Sequence, residues 1–375
     1  MQHDRQVRRD AMQFQLRDYH DPDFSSEIFK KAPDATLAVV GQDGVAPDDY
    51  HATTIFPEYF KIDGEWLLAK QSRMDCAAVL EDGQIAVREF RHLKAGDQVV
   101  VGRSEDGSEG IYVHVDGFDD VRQANGETFV FRQGRNRETS FSMDYDSLYE
   151  QLRYEKDHGY IVWVLGPACA FDADSRTAFA RLIEHGYVHA LLAGNALAVH
   201  DLEASYKRSA LGQDIYTQLT HPHGHYNHLD TINRVRQCGS IEEFIKEEKI
   251  SDGIIYECVK HQVPLVLTGS IRDDGPLPEV YANAYEGQDA MREHLSKATT
   301  IIGMATTLHS IAAGNMTPSF RVMDDETVRQ VYFYMVDISE FAANKLGDRG
   351  SLSARSIITN MQDFVVQTSK NLVNS

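Results

Sequence analysis

The sequence predicts an α/β protein in which a small β-rich domain precedes a doubly wound parallel sheet, and three observations carry that prediction. Short β-rich runs separated by Asp-Gly turns fill residues 36–140. From Gly159 onward, apolar runs alternate with helical stretches, the order that builds strand–helix–strand units. Those later runs also empty into loops of glycine, asparagine, threonine and aspartate, and open parallel sheets bind ligands at the carboxyl ends of their strands.

Residues 1–35 are polar and read as a leader with one short helix. The runs LAVV, IFPEYFKI, EWLLA, CAAVLE, IAVREF, QVVVG, GIYVHV and TFVFR follow as strands of the first domain. Asp63-Gly64, Asp82-Gly83 and Asp106-Gly107 supply turns, because Asp and Gly tolerate the left-handed backbone that a tight hairpin needs. The polar segment Gln133–Thr139 marks a boundary, and a helix over Asp144–Lys156 leads into the second domain, residues 141–375. Its strands are YIVWVL, YVHALLA, VPLVL, TTIIGMA, VYFYMVD and SIIT. Ser240-Ile-Glu-Glu243 has the spacing of a capping box, and Ser339 precedes a helical run, EFAANKL.

Composition narrows the function classes. The 375 residues are 42% hydrophobic and 25% charged, ordinary for a globular protein and unlike a disordered chain. Apolar runs such as Ile161–Leu165 fall far short of the ~20 residues of a membrane span, and MQHDRQVRRD has no apolar signal region, so a cytoplasmic protein without a membrane partner is expected. The formal charge of −20 repels nucleic acid, which is not expected as a partner. Cys76, Cys169, Cys238 and Cys258 lack CxxC spacing, which signals neither a disulfide framework nor a thiolate zinc site.

Candidate site residues cluster where strands end. Val263–Leu267 runs into Gly269, Ser270, Arg272, Asp273, Asp274 and Gly275, an abrupt change from apolar to charged. Asp337 follows an apolar strand, where a carboxylate can accept both hydroxyls of an adenosine ribose; a helix cap or turn acid is the plainer reading. No GxGxxG follows any strand, so glycine turns at Gly166 and Gly194 would have to cradle a pyrophosphate in a variant way. His221, His223, His225 and His228 crowd HPHGHYNHLD. Metal sites of this kind usually show helical i, i+4 spacing or a carboxylate partner, so a loop whose His and Asn side chains hydrogen-bond a substrate or the backbone is expected and no metal is. Cys258 reads as core rather than nucleophile, and Lys207 and Lys260 as surface lysines rather than Schiff-base formers.

The stretches LLAGNALAVHDLEA, GHYNHLDTINRVRQCGSIEE, DGIIYECVK, VLTGSIRDDGPLPEV, TTLHSIAAGNMTPS and VDISEFAANKLGDRGS together resemble the NAD-dependent ornithine cyclodeaminases of archaea. They are similar as well to the C-terminal half of bifunctional arginine dihydrolase/ornithine cyclodeaminases, a family related to lysine-ketoglutarate reductase/saccharopine dehydrogenase. Upstream, GVAPDDYHATTIFPEYFKIDGEWLLAKQSRMDCA extends the resemblance to roughly residues 35–365. It implies a Rossmann-like domain similar to deoxyhypusine synthase, a tightly held NAD, a homo-oligomer (dimer or tetramer) and conversion of L-ornithine to L-proline and ammonia. No guanidine-modifying domain precedes the β-rich domain, so arginine dihydrolase activity is not expected.

The roles implied are these. Asp273 and Asp274 hold the distal ammonium of a small amino-acid substrate. Arg272 or a histidine of the 221–228 stretch holds its carboxylate, and His200 or Asp201 moves protons. His225, Asn227, His228 and Glu257 complete the substrate site. Gly166, Gly194, Asn195, Thr306, Thr307, His309, Gly314 and Asp337 contact NAD. An acidic turn that only stabilises its own backbone is the rival reading of Asp273-Asp274-Gly275. For the whole protein, the rivals are an NAD-dependent dehydrogenase or transferase acting on another amino acid or polyamine, and a non-catalytic NAD-binding regulator.

Overall fold

The computed structural model describes residues 14–118, 141–273, 275–338 and 353–373. TFVFR, the boundary at Gln133–Thr139, the helix expected after Ser339 and Asp274 lie outside the described residues.

The first region is β-rich. After a short helix α1 (Glu27–Lys31) come β1 (Thr36–Val39), β2 (Glu58–Ile62), β3 (Glu65–Leu68), β4 (Ala77–Glu81), β5 (Gln84–Arg88), β6 (Gln98–Val101) and β7 (Ile111–Val113). They form a four-stranded sheet, β1-β6-β4-β5, and a three-stranded sheet, β3-β2-β7, both antiparallel. Asp63 and Gly64 have φ of 51° and 84°, and Asp82 and Gly83 of 51° and 76°. Both turns therefore use the doubly left-handed geometry that the Asp-Gly dipeptide favours. Phe60, Ala78, Ile85, Val100 and Ile111 form the core shared by the two sheets.

The leader is fastened to this region along its described part. Phe24 stacks on Trp66 with ring centroids 5.0 Å apart. Lys61, only 8% exposed, donates from Nζ to the carbonyls of Phe29, Lys30 and Ala32. Composition gave the segment a polar look, but its aromatic residues are what hold it.

The second region begins with α2 (Phe141–His158) and continues through β8 (Ile161–Leu165), α3 (Ala173–Glu184), β9 (Ala190–Gly194), α4 (Asn195–Lys207), β10 (Ser209–Ala210) and β11 (Gln213–Asp214). It goes on with α5 (His225–Cys238), α6 (Ile241–Glu247), α7 (Ile254–Lys260), β12 (Leu265–Thr268), α8 (Ala284–Leu295), β13 (Thr300–Met304) and α9 (Thr307–Met316). It closes with β14 (Phe320–Val322), β15 (Val328–Gln330), β16 (Tyr332–Asp337), β17 (Ser353–Ile358) and α10 (Met361–Val373).

Six of these strands make one parallel sheet in the order β12-β9-β8-β13-β16-β17. Renumbered within the region, that is 3-2-1-4-5-6, the doubly wound order of Rossmann-like folds. Both faces are covered, which is why the strands read as nearly continuous apolar runs. Ile161, Trp163 and Leu165 of β8 point into the cluster shared with α3, α4, α7 and α10. Val162 and Val164 point the other way, toward Met291 and Leu295 of α8 and Ala313 and Met316 of α9. Ser240 accepts from the amide of Glu243 at 3.1 Å, as its capping spacing predicts. The small hairpins β10–β11 and β14–β15 are additions that short polar strands did not announce. No helix among the described residues is long and apolar enough to cross a membrane.

The two regions meet along α8. Glu89 pairs with Arg73, Arg91 and Arg292, and Arg91 also pairs with Asp289 at 2.6 Å. Ser72 and Ser319 share a hydrogen bond of 2.6 Å.

Candidate active site

The strand order reverses between β8 and β13, the switch point at which open parallel sheets form their ligand crevice. Gly166, directly after β8, donates its amide to Met304 at 2.9 Å. A Cβ there would stand 1.9 Å from the carbonyl oxygen of Ala305, so the two backbones approach as closely as they do only because residue 166 is glycine.

Two helices start beside this crevice without a side-chain cap: α4, preceded by Gly194, and α9, preceded by Thr306. By contrast α3, α6 and α8 are capped by Asp172, Ser240 and Asn283. The first-turn amides of α4 and α9 thus keep donors that a dinucleotide's phosphates can use, with the positive ends of both helix dipoles behind them. The residues present fit such a group.

His309, in the first turn of α9, brings three strand ends together. Its Nε2 lies 2.7 Å from the hydroxyl of Thr268, at the end of β12. A Cβ on Gly194, at the end of β9, would come within 3.1 Å of its Cε1. Burial lowers its pKa below the usual 6.5, and Asp273 opposes that shift electrostatically. Thr307 is exposed beside it, and half-buried Asp337 ends β16. Gly314 is different: it is buried in the last turn of α9, away from the helix start.

The charged loop after β12 is tied down from both ends. Asp273 accepts the amide of Ser270 at 2.7 Å through Oδ2, so one carboxylate oxygen serves the turn while Oδ1 has no partner among the described residues. Asn195, 4% exposed, accepts the amide of Leu277 at 3.1 Å and donates to the carbonyl of Gly275 at 3.2 Å. Asn195 therefore pins the loop to the start of α4. Arg272 is exposed, and its guanidinium makes no hydrogen bond or ion pair among the described residues.

A second polar group lies inside, on α4. His200 is 8% exposed, and its Nδ1 is 2.9 Å from Oε2 of the fully buried Glu203, one helical turn on. The other oxygen of Glu203 accepts the hydroxyl of Ser209 at 2.7 Å and, at 3.5 Å, the amide of Gly212. Asn227 donates to Ser209 at 2.7 Å. The His228 ring stands 6.0 Å from that of His200, and its Nδ1 is sealed from solvent with no partner among the described residues. Phe171, on the segment that follows the Gly166 turn, packs edge-on against His200 at 5.6 Å.

The histidine-rich stretch corrects the loop reading. His225, Asn227 and His228 form the first turns of α5, and only 221–224 precede the helix. Gly212 and Gly224 let the β10–β11 hairpin sit directly on that helix start: a Cβ on Gly224 would lie 2.4 Å from the carbonyl oxygen of Gly212. His225 stays exposed, against Tyr226 at 4.3 Å. No group of three or more metal-capable side chains gathers among the described residues.

Other expected residues lie apart. Asp201, fully buried, faces α3 and α7, where Arg176 donates to it at 2.7 Å and the amides of Ile254 and Ile255 at 3.0 and 2.7 Å. Glu257 is held on its own helix by Lys260 and His261 at 3.0 and 3.1 Å. Cys258 is buried, and desolvation raises its thiol pKa far above the ordinary value, which suits core packing. The sequence reading missed Glu203, Ser209 and Thr268. The i, i+3 spacing of His200 and Glu203 was the available signal.

Comparison with known proteins adds a further finding. Residues 147–368 match the family model for the C-terminal, Rossmann-fold part of ArgZ-like arginine dihydrolases, and residues 57–137 match the first region of the same C-terminal part. The ornithine cyclodeaminase of Methanopyrus kandleri is 36% identical over 335 residues, covering 88% of this chain and 76% of that protein. The bifunctional arginine dihydrolase/ornithine cyclodeaminase AgrE of Nostoc is 36% identical over 343 residues, covering 88% of this chain and 46% of that one. This chain therefore spans about half the length of the bifunctional relatives it matches. A crystal structure of AgrE in ternary complex with ornithine and NAD+ superposes with a TM-score of 0.57 at 34% identity, over 92% of this chain and 46% of AgrE. That of a conserved protein of the LOR/SDH type from Methanococcus maripaludis superposes at 0.81 with 31% identity, over 91% of this chain and 99% of that one.

Proposed function

The chain belongs to the ArgZ-like C-terminal family, and from that membership we propose that it is an NAD-dependent ornithine cyclodeaminase, converting L-ornithine to L-proline and ammonia. The observation that carries the proposal is the coincidence of two uncapped helix starts, an acidic loop and a buried histidine–carboxylate pair on segments that follow the strands of one parallel sheet.

Gly166, Gly194, Thr306, Thr307 and His309, with Asp337 at the neighbouring strand end, would hold the dinucleotide. When bound, NAD supplies a hydride acceptor that becomes the donor later in the same cycle, so none is consumed.

The side chains divide the remaining work. Asp273, with one oxygen unengaged, offers an anion to the substrate's distal ammonium, and Asp274 next to it in sequence adds a second. Exposed Arg272 offers a guanidinium to the carboxylate. His200 and His228 supply imidazoles that can take a proton from the α-ammonium and give one to departing ammonia. Asn195 keeps the acidic loop in register with α4. Asp201, ion-paired and capping α7, is left a structural role.

The test is to incubate the purified protein with NAD and L-ornithine and quantify products by mass spectrometry. Proline and ammonia in equal amounts, with no accumulation of NADH, are expected. Stoichiometric NADH, or no turnover of ornithine by NAD-loaded protein, would refute the proposal.

A further inference from the structure

We propose that the buried carboxylate of Glu203 is a positioning group that fixes the tautomer of His200, holding its proton on Nδ1 and leaving Nε2 as the proton-accepting nitrogen. The functional part of this inference rests on the catalytic reading above; the tautomer itself does not.

The hydrogen-bond directions determine where the proton sits. The amide of Gly212 can only donate, and it faces Oε1 of Glu203. Ser209 faces the same oxygen, and because Asn227 donates to the Ser209 oxygen, the single hydroxyl hydrogen is left for Glu203. Both neighbours of Oε1 are thus donors, and the third contact, Oε2 to His200 Nδ1 at 2.9 Å, is assigned the same way, with the carboxylate accepting. An N–H on Nδ1 makes Nε2 the lone-pair nitrogen. Nε2 forms no hydrogen bond among the described residues, and it is not among the buried atoms left without a partner, so it opens into accessible space.

Fold stability alone does not account for an acid at position 203. It is fully buried, and its ion-pair partner among the described residues is His200, with no lysine or arginine. Burying a carboxylate without a fixed cation costs several kcal/mol even after relaxation. Asp201, its neighbour two residues back, shows the contrasting arrangement, with Arg176 and two helix amides compensating its charge. A carboxylate behind an imidazole orients the ring and stabilises the imidazolium formed when Nε2 takes a proton. The Asn227–Ser209–Glu203 chain further ties that orientation to the first turn of α5, which carries His228.

The test begins with the wild-type protein, labelled with 15N at histidine, in long-range proton–nitrogen correlation spectra at mildly alkaline pH. The His200 signals are assigned as those lost in His200→Asn. The Nδ1-protonated pattern is expected, changing to the other tautomer or a mixture in Glu203→Gln. An Nε2-protonated His200 in the wild-type protein would overturn the proposal whether or not the protein turns over ornithine. Kinetics supply the second arm. Glu203→Gln should lower kcat for ornithine by about 100-fold with KM and NAD affinity changed less than about twofold. The double variant His200→Asn/Glu203→Gln should be no slower than His200→Asn alone, since a group acting through His200 has nothing left to act on. Multiplicative losses in the double variant would assign Glu203 a role independent of His200. Wild-type protein that makes no proline would refute the cyclodeaminase reading and leave the tautomer to be decided by the spectra.

Discussion

Asp201 and Asn195 show how far a residue's chemistry depends on what it touches. A carboxylate after a histidine on α4 reads as a proton carrier until Arg176 is seen against it at 2.7 Å. Asp201→Asn leaves the Arg176 side chain, 5% exposed, with the more exposed Asp252 as its remaining carboxylate. A loss of about 3 kcal/mol in denaturant unfolding is expected, the cost typical of breaking a buried pair. Asn195→Ala orphans the amide of Leu277, a residue 1% exposed, and frees the acidic loop. About 1–3 kcal/mol of stability should be lost by the same measurement, with ornithine KM rising as the loop loses its register. Asn195 stood out in the sequence because it follows a strand-ending glycine. Glu203 did not, because one buried glutamate looks like any other helix-face acid until its partners, up to nine residues away at Gly212, are in place.

At the level of elements, the strands were legible because a sheet covered on both faces writes itself as apolar runs, and the Asp-Gly turns because their backbone demands those residues. The histidine-rich stretch was misread as a loop because α5 is polar along its first turns: its buried residues begin only at Thr231. The uncapped starts of α4 and α9 carry a binding prediction. Gly194→Ala sets a methyl 3.1 Å from the His309 ring, on the residue that precedes α4. NAD affinity, measured by calorimetry, should fall about tenfold, or about 1.4 kcal/mol. Three histidines packed against elements of the sheet, His189, His294 and His309, have pKa values lowered from 6.5 mainly by burial. Their neutral forms are favoured on folding, so the unfolded chain takes up protons first as pH falls. Their contribution to stability is whole above pH 6.5 and is lost as pH falls through the lower folded-state values. Thermal unfolding should shift downward between pH 6.5 and 5, and His294→Gln, which keeps a polar partner for Tyr160, should flatten that dependence.

For the whole molecule, an α/β chain with a β-rich region ahead of a doubly wound sheet was readable from alternation alone, and the family from its motifs. The alignment of strand ends into one crevice was not, since the 3-2-1-4-5-6 order is set by long-range pairing that no local pattern encodes. Under the proposed function, the crevice oxidises and then re-reduces the same carbon of one substrate, releasing ammonia but neither NADH nor a carbon intermediate between the two steps. Turnover of L-ornithine carrying deuterium at C2, with products read by mass spectrometry, tests it most directly. L-Proline that retains the deuterium at C2 is expected, with no labelled or unlabelled NADH building up. Proline that has exchanged the label with solvent, or labelled NADH accumulating in step with turnover, would contradict it.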